Sequence, residues 1–213
     1  MEYMRTIPDK KFDLAIVDPP YGINQGGKNN KTRGNLAIAK DYKDFGDRCS
    51  PNQMYFNELL RISRNQIIFG ANHFIDKIPY NSSCWIVWDK NNGTNDFADC
   101  ELAWTSFKTS VRKFKYTWNG MLQENMKQKE KRIHPTQKPV ALYIWLLTNY
   151  AKPGDLIFDS HVGSGSSLVA CEKEGFDYVG CELDKDYYQQ AKERIEIERR
   201  QPSLFSIDKV IGM

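Results

Sequence analysis

Short apolar runs alternate along this chain with longer segments of helical pattern, and no other feature limits its fold as strongly. Phe12-Asp13-Leu14-Ala15-Ile16-Val17, within 11–20, reads as a buried strand halted by Pro19-Pro20, a pair that neither a helix nor a central strand tolerates. The runs 66–70 and 84–88 are compatible with buried strands, and 101–107 with 111–118 is expected to form an antiparallel pair. Residues 51–63 predict an amphipathic helix with Ser50 as its cap and Pro51 at its first position. Residues 139–150 predict another, stopped at Lys152-Pro153-Gly154. Leu156–Asp159, a Gly-rich turn, a helix over about 166–173, a strand over 178–183 and a charged helix over Lys185–Arg200 complete the series. Strands alternating with helices predict an α/β fold, an open and mostly parallel sheet flanked by helices. Such sheets bind ligands at the carboxyl ends of their strands, beside a topological switch. A chain of 213 residues fits one domain, taken here as 1–213.

Composition narrows the function classes. No apolar run approaches the ~20 residues of a membrane span, and the polar N-terminus shows no secretory signal. Five cysteines without C-x-x-C spacing and three histidines supply no metal-ligand pattern. The expectation is a cytoplasmic protein with reduced thiols, no metal and no membrane partner. A net charge of +3 is too small to diagnose a nucleic-acid binder, so the distribution of charge matters more.

Two strand ends carry unusual chemistry. The first is Asp18-Pro19-Pro20-Tyr21. The exocyclic amine of adenine or cytosine is a poor nucleophile because its lone pair is delocalised into the ring. Two acceptors holding both amine hydrogens would turn that lone pair toward an electrophile. Asp18 supplies one acceptor and the Pro19 carbonyl, held rigid by Pro20, supplies another. Tyr21 offers a ring on which an extruded base can stack.

The second is Phe158-Asp159-Ser160-His161-Val162-Gly163-Ser164-Gly165-Ser166, where a strand turns into a helix. Gly163 and Gly165 let backbone approach a ligand closely, and the helix N-terminus at Ser166 favours an anionic group. Glu182 ends the next strand, near the ~20-residue spacing at which an acidic residue binds ribose hydroxyls. Without basic phosphate anchors, this pair suits a nucleoside cofactor lacking pyrophosphate.

These motifs resemble the β-class of DNA amino-methyltransferases, especially short prophage-type adenine methylases. The resemblance extends to Ile68-Phe69-Gly70-Ala71-Asn72-His73-Phe74, Glu101-Leu102-Ala103-Trp104-Thr105 and His134-Pro135-Thr136-Gln137-Lys138-Pro139. It implies a Rossmann-like fold for S-adenosylmethionine-dependent methyl transfer, with a circularly permuted motif order in which D-P-P-Y precedes the glycine motif. It also implies that Thr136 and Lys138 contact the carboxylate of S-adenosylmethionine, Asp159 its amino group and Glu182 its ribose. The family's glycine motif usually reads D-P-F-x-G-S/T-G-T, whereas Ser160 and His161 stand here. His161 is therefore assigned to cofactor packing rather than catalysis. Asp18 favours adenine N6, with cytosine N4 or a catalytically inactive nucleic-acid-binding homologue as the alternatives. Methylation of RNA or of protein glutamine, which uses N-P-P-Y motifs, fits the Asp and the motif order less well.

DNA contact is expected from two basic segments. The loop 24–50 carries Lys28, Lys31 and Arg33, and 108–133 carries Arg112, Lys113 and Lys115 with Phe114, Tyr116 and Trp118 interleaved. The tail 201–213 begins Gln201-Pro202-Ser203-Leu204-Phe205, which resembles the peptides that dock bacterial proteins on the sliding clamp. A homodimer is the other assembly this reading allows.

Overall fold

The computed structural model describes residues 1–24, 47–78, 80–93, 98–119 and 122–200. The loop cations Lys28, Lys31 and Arg33 and the tail segment Gln201-Phe205 lie outside these residues. A short helix α1 (Glu2–Thr6) precedes β1 (Phe12–Val17), α2 (Gln53–Ile62), β2 (Ser63–Phe69), β3 (Trp85–Asp89), β4 (Cys100–Thr105) and β5 (Arg112–Lys115). A two-stranded ribbon follows, β6 (Trp118–Asn119) and β7 (Leu122–Gln123), then α3 (Val140–Tyr150), β8 (Leu156–Asp159), α4 (Ser166–Glu174), β9 (Asp177–Gly180) and α5 (Lys185–Arg200).

The main sheet has the order β5-β3-β4-β2-β1-β8-β9. β1 is parallel to β2 and β8, β8 to β9, and β3 to β5, whereas β4 runs against both β2 and β3. β4 is thus the one reversed strand of this sheet, and the carboxyl ends of the others share one edge. The alternation of apolar runs and helices did predict a mostly parallel sheet. The expected antiparallel pair is corrected: β3 lies between β4 and β5, pairing antiparallel with the first and parallel with the second. An apolar run on each strand is compatible with either neighbour, and only the crossover through α2 and β2 decides between them.

Side-chain alternation divides β1 between two cores. Leu14 and Ile16 join Ile67, Phe69 and Ile157 under α3, α4 and α5, while Ala15 and Val17 join Ile68 and Phe158 under α1 and α2. A strand covered on both faces must be apolar throughout, which is why 12–17 reads as a nearly continuous apolar run. Each fully buried large aliphatic contributes about 1.5–3 kcal/mol, so β1 anchors both layers. α2 starts later than the sequence suggests. Asn52, not Ser50, is the cap, its Oδ1 accepting from Tyr55 N at 3.2 Å, and the helix begins at Gln53. The backbone is still extended at Asn52, so the first free helical N–H groups lie within reach of that side chain.

Candidate active site

The chain leaves β1 toward β2 on one side and β8 toward β9 on the other. The adjacent ends of β1 and β8 therefore flank the topological switch, and they deliver Asp18 and Asp159 side by side. Because β4 is reversed, its first residues, including Glu101, reach the same edge. The segment before α3 brings Lys138 there as well.

Asp18 is held from two directions. Tyr21 Oη donates to its Oδ1 at 2.7 Å, and Lys138 Nζ lies 2.5 Å from Oδ2. Lys138 also pairs with Glu101 Oε2 at 2.9 Å, and Lys90 meets Glu101 Oε1 at 2.6 Å. Burial pushes the Asp18 carboxyl above its ordinary value, and the Lys138 ammonium is the strongest influence opposing it. Against the burial that would raise it, Lys138 and Lys90 hold Glu101 down at about 2. Burial works against the charge of Lys138 too, but Asp18 and Glu101 keep its pKa above the ordinary value. A chain of alternating charges thus keeps a carboxylate ionised at the end of β1. Neither Glu101 nor Lys90 was singled out as a site residue from the sequence. Their positions, at the start of one strand and just past another, gain meaning only once β4 is known to be reversed.

The D-P-P-Y turn is fixed from below. Gly22, at φ +76, lies where a Cβ would fall 2.7 Å from Ser50 N, and its own N–H donates to Asp47 Oδ1 at 2.8 Å. Asn24 N in turn donates to the Asp47 carbonyl at 2.8 Å. The two ends of the segment 24–47 are therefore tied together directly beneath Tyr21.

On β8, Asp159 Oδ1 accepts from His161 N at 2.9 Å and Oδ2 from Ser167 Oγ at 2.5 Å. Burial nonetheless raises its pKa to about 7, with Asp18 and Glu182 adding to the shift. Glu182 Oε2 accepts from Gly163 N at 2.7 Å, joining the end of β9 to the glycine turn. Gly165 adopts φ +77 at the cap of α4, and a Cβ there would stand 3.1 Å from Ala191 Cβ on α5. His161 Nδ1 lies 2.9 Å from Ser160 Oγ, which is 2.6 Å from Tyr55 Oη. Burial lowers His161 to about 4, so the ring is neutral at pH 7. Ser160 and His161 thus join the glycine turn to α2 through a hydroxyl relay. The Ser166 hydroxyl bonds Arg194 Nη1 at 2.9 Å, and the same Nη1 reaches the Ser164 carbonyl at 3.0 Å. Thr136 is exposed, and its hydroxyl lies 3.1 Å from His134 Nδ1. The structure thus gathers Asp159, His161, Gly163, Gly165 and Glu182, and places Lys138 on Asp18.

The second basic segment divides. Arg112, Lys113 and Lys115 are exposed on β5, an edge strand. The interleaved aromatics are not a free stacking platform. Phe114 stacks on Tyr116 at 5.6 Å and meets Trp145 of α3 at 5.4 Å. Trp118 is buried and donates to the Gln137 carbonyl at 2.7 Å. The alternation of cation and aromatic is the two-residue period of a strand with one face on the core.

Fold and site define an α/β enzyme of the kind that binds a nucleoside-containing ligand across two neighbouring strand ends. Residues 101–193 match the family model described as DNA methylase, and the chain belongs to the DNA methylases. It is 25% identical over 245 residues to the type II methyltransferase M.HinfI of Haemophilus influenzae, covering 95% of this chain and 68% of that protein. It is 24% identical over 237 residues to the type II methyltransferase M2.DpnII of Streptococcus pneumoniae, covering 92% and 87%. Among solved structures it resembles TTHA0409, a DNA modification methylase from Thermus thermophilus complexed with S-adenosyl-L-methionine. That match has a TM-score of 0.59 and 20% identity over 95% of this chain and 94% of the other, a likeness of fold. No helix among the described residues is long and apolar enough to cross a membrane.

Proposed function

We propose that the protein transfers the methyl group of S-adenosylmethionine to the N6 amine of an adenine extruded from DNA. The observation that carries this reading is the placement of Asp18, a buried and charge-supported acceptor, beside the Asp159 and Gly163 turn at the switch between β1 and β8. The residues present fit the donor. Positive φ at Gly163 and Gly165 keeps side chains out of the turn, Glu182 presents a carboxylate for ribose hydroxyls, and Asp159 offers one for an ammonium. When bound, the donor supplies an electrophilic methyl on sulfonium.

The protein's own groups do the positioning. Asp18 and the Pro19 carbonyl accept the two amine hydrogens, Tyr21 stacks on the base, and the nitrogen lone pair is directed in line at the methyl carbon. Holding the partners in this geometry supplies most of the acceleration. Adenine is favoured by the aspartate at the first position of the motif. The exposed cations of β5, together with Lys28, Lys31 and Arg33, would contact the phosphates. Clamp docking through Gln201–Phe205 belongs to the same proposal, and the synthetic peptide should bind purified clamp unless Leu204 and Phe205 are replaced by alanine.

A labelled methyl-transfer assay on DNA, RNA and protein tests the activity. Label in DNA that digests to N6-methyladenosine is the expected result. Label in N4-methylcytosine corrects the base, and no DNA label overturns the reading.

A further inference from the structure

The Tyr21 ring is already covered. His73 lies almost parallel to it, with 16° between the planes and 4.9 Å between centroids. Gly70 packs so close that a Cβ there would stand 2.0–2.5 Å from Cδ1, Cε1 and Cζ of the same ring. Tyr21 is held further by its bond to Asp18 and by Phe74 at 6.4 Å. His73 itself is exposed and sits on a single 3-10 turn, Ala71–His73. That turn hangs from Gly70, at φ +66, through the bond from His73 N to the Gly70 carbonyl at 2.9 Å. An imidazole stacked on Tyr21 has roughly the footprint of the five-membered half of a purine. Its neighbours differ in kind: Tyr21 is fixed on several sides, whereas His73 is carried by one short turn facing solvent.

We propose that His73 is a specificity-determining gate, a base-sized ring that covers Tyr21 until a target base displaces it. The inference rests on the reading of Tyr21 as the stacking surface for that base. Stacking alone would roughly balance, since the incoming ring replaces one that must leave. Capture is therefore decided by what else the base brings, namely an amine for Asp18. A base without that amine exchanges one stacked ring for another and gains little. His73 thus makes stacking insufficient for entry and leaves selection to the acceptors at the end of β1.

The carbon-bound protons of His73 report the stack directly. In the full-length protein the Tyr21 ring should shift them upfield, assignable by their loss in His73→Gln and by their return to the ordinary position in Tyr21→Ala. Saturating DNA that the enzyme has been shown to methylate, with S-adenosylhomocysteine present, should remove the upfield shift. His73→Ala should lower KM for DNA by roughly threefold to tenfold, the equivalent of one aromatic pair, with little change in kcat. It should also narrow the difference in affinity between DNA carrying adenine and DNA carrying hypoxanthine at the target position. His73→Phe, which keeps a stacked ring, should restore the wild-type KM. A shift that persists when methylatable DNA is bound, or a His73→Ala variant with unchanged KM and discrimination, overturns the gate while leaving the methyltransferase reading intact. Absence of any DNA methylation would remove both.

Discussion

Lys138 and Asp18, far apart in sequence, meet at 2.5 Å with the lysine side chain only 4% exposed. Burial alone would drive Asp18 toward the neutral acid, which can accept fewer hydrogens from an amine. The ammonium keeps it ionised, and Glu101 with Lys90 keeps the ammonium in place. Lys138→Met should therefore move the acid limb of the pH–rate profile upward. The sign is fixed by the removal of a cation that lowers the Asp18 pKa: activity present above that pKa is lost earlier as pH falls. The variant should also lose about 3–5 kcal/mol of stability, because two buried carboxylates lose their shared partner. Urea unfolding and a pH series together check both effects, and an unmoved acid limb would deny Lys138 this role.

Asp18→Ala should abolish methyl transfer while leaving affinity for S-adenosylmethionine within a few-fold. Its carboxylate faces Tyr21 and Lys138 rather than the glycine turn. Calorimetry on the variant beside a labelled transfer assay separates the two quantities. Appreciable turnover would remove Asp18 from the acceptor pair.

Asp159 gives a proton-linked prediction. With a pKa of about 7, raised chiefly by burial, it is roughly half protonated at neutral pH in the free protein. A bound ammonium requires the ionised form, so cofactor binding at pH 7 should release a fraction of a proton, and affinity should weaken as pH falls below 7. Calorimetry in buffers of different ionisation enthalpy measures the release, which Asp159→Asn should eliminate. The same raised pKa makes the free protein gain stability as pH drops from about 7 toward the usual carboxylate range.

If β5 lies on DNA, replacing Arg112, Lys113 and Lys115 by glutamine should flatten the salt dependence of binding by up to about 0.9 per lost phosphate contact. These side chains are exposed on an edge strand, so stability should change little. An unaltered slope in a titration of affinity against salt would assign the edge to solvent.

What the sequence disclosed follows the range of each interaction. The run 12–17, the turn at Asp18-Pro19-Pro20-Tyr21 and the glycine turn 163–165 are local, and each carries its own signal in apolar period, proline or glycine. The pairing of β3 with both β4 and β5 does not, because strand order is set by crossovers. The aromatics at 114, 116 and 118 were read as a nucleic-acid feature because alternation with cations looks the same whether a strand faces DNA or its own core. Lys138, Glu101 and Lys90 come from three separate segments, and a charge pattern along the chain has no means of showing that they meet.

Arg194 is the residue whose importance was least visible, since it lies in a charged helix where most neighbours are solvated. Its Nη1 donates to the Ser164 carbonyl and the Ser166 hydroxyl, and its Nη2 pairs with Glu130 Oε2 at 2.6 Å. The other oxygen of Glu130 accepts from Val140 N at 2.9 Å, at the start of α3. One guanidinium therefore fixes the glycine turn relative to both α5 and the segment that delivers Lys138. Lysine has a single nitrogen and cannot serve both directions, so Arg194→Lys should behave much like Arg194→Ala. Either should weaken S-adenosylmethionine binding by roughly tenfold or more through a displaced turn, with a stability loss of about 2–3 kcal/mol. A double-mutant cycle with Glu130→Gln distinguishes this from simple loss of packing. If the pair acts as one unit, the coupling should be about 1–3 kcal/mol in unfolding and should reappear in cofactor affinity. Additive losses in both measurements would show that Arg194 supports the turn without Glu130.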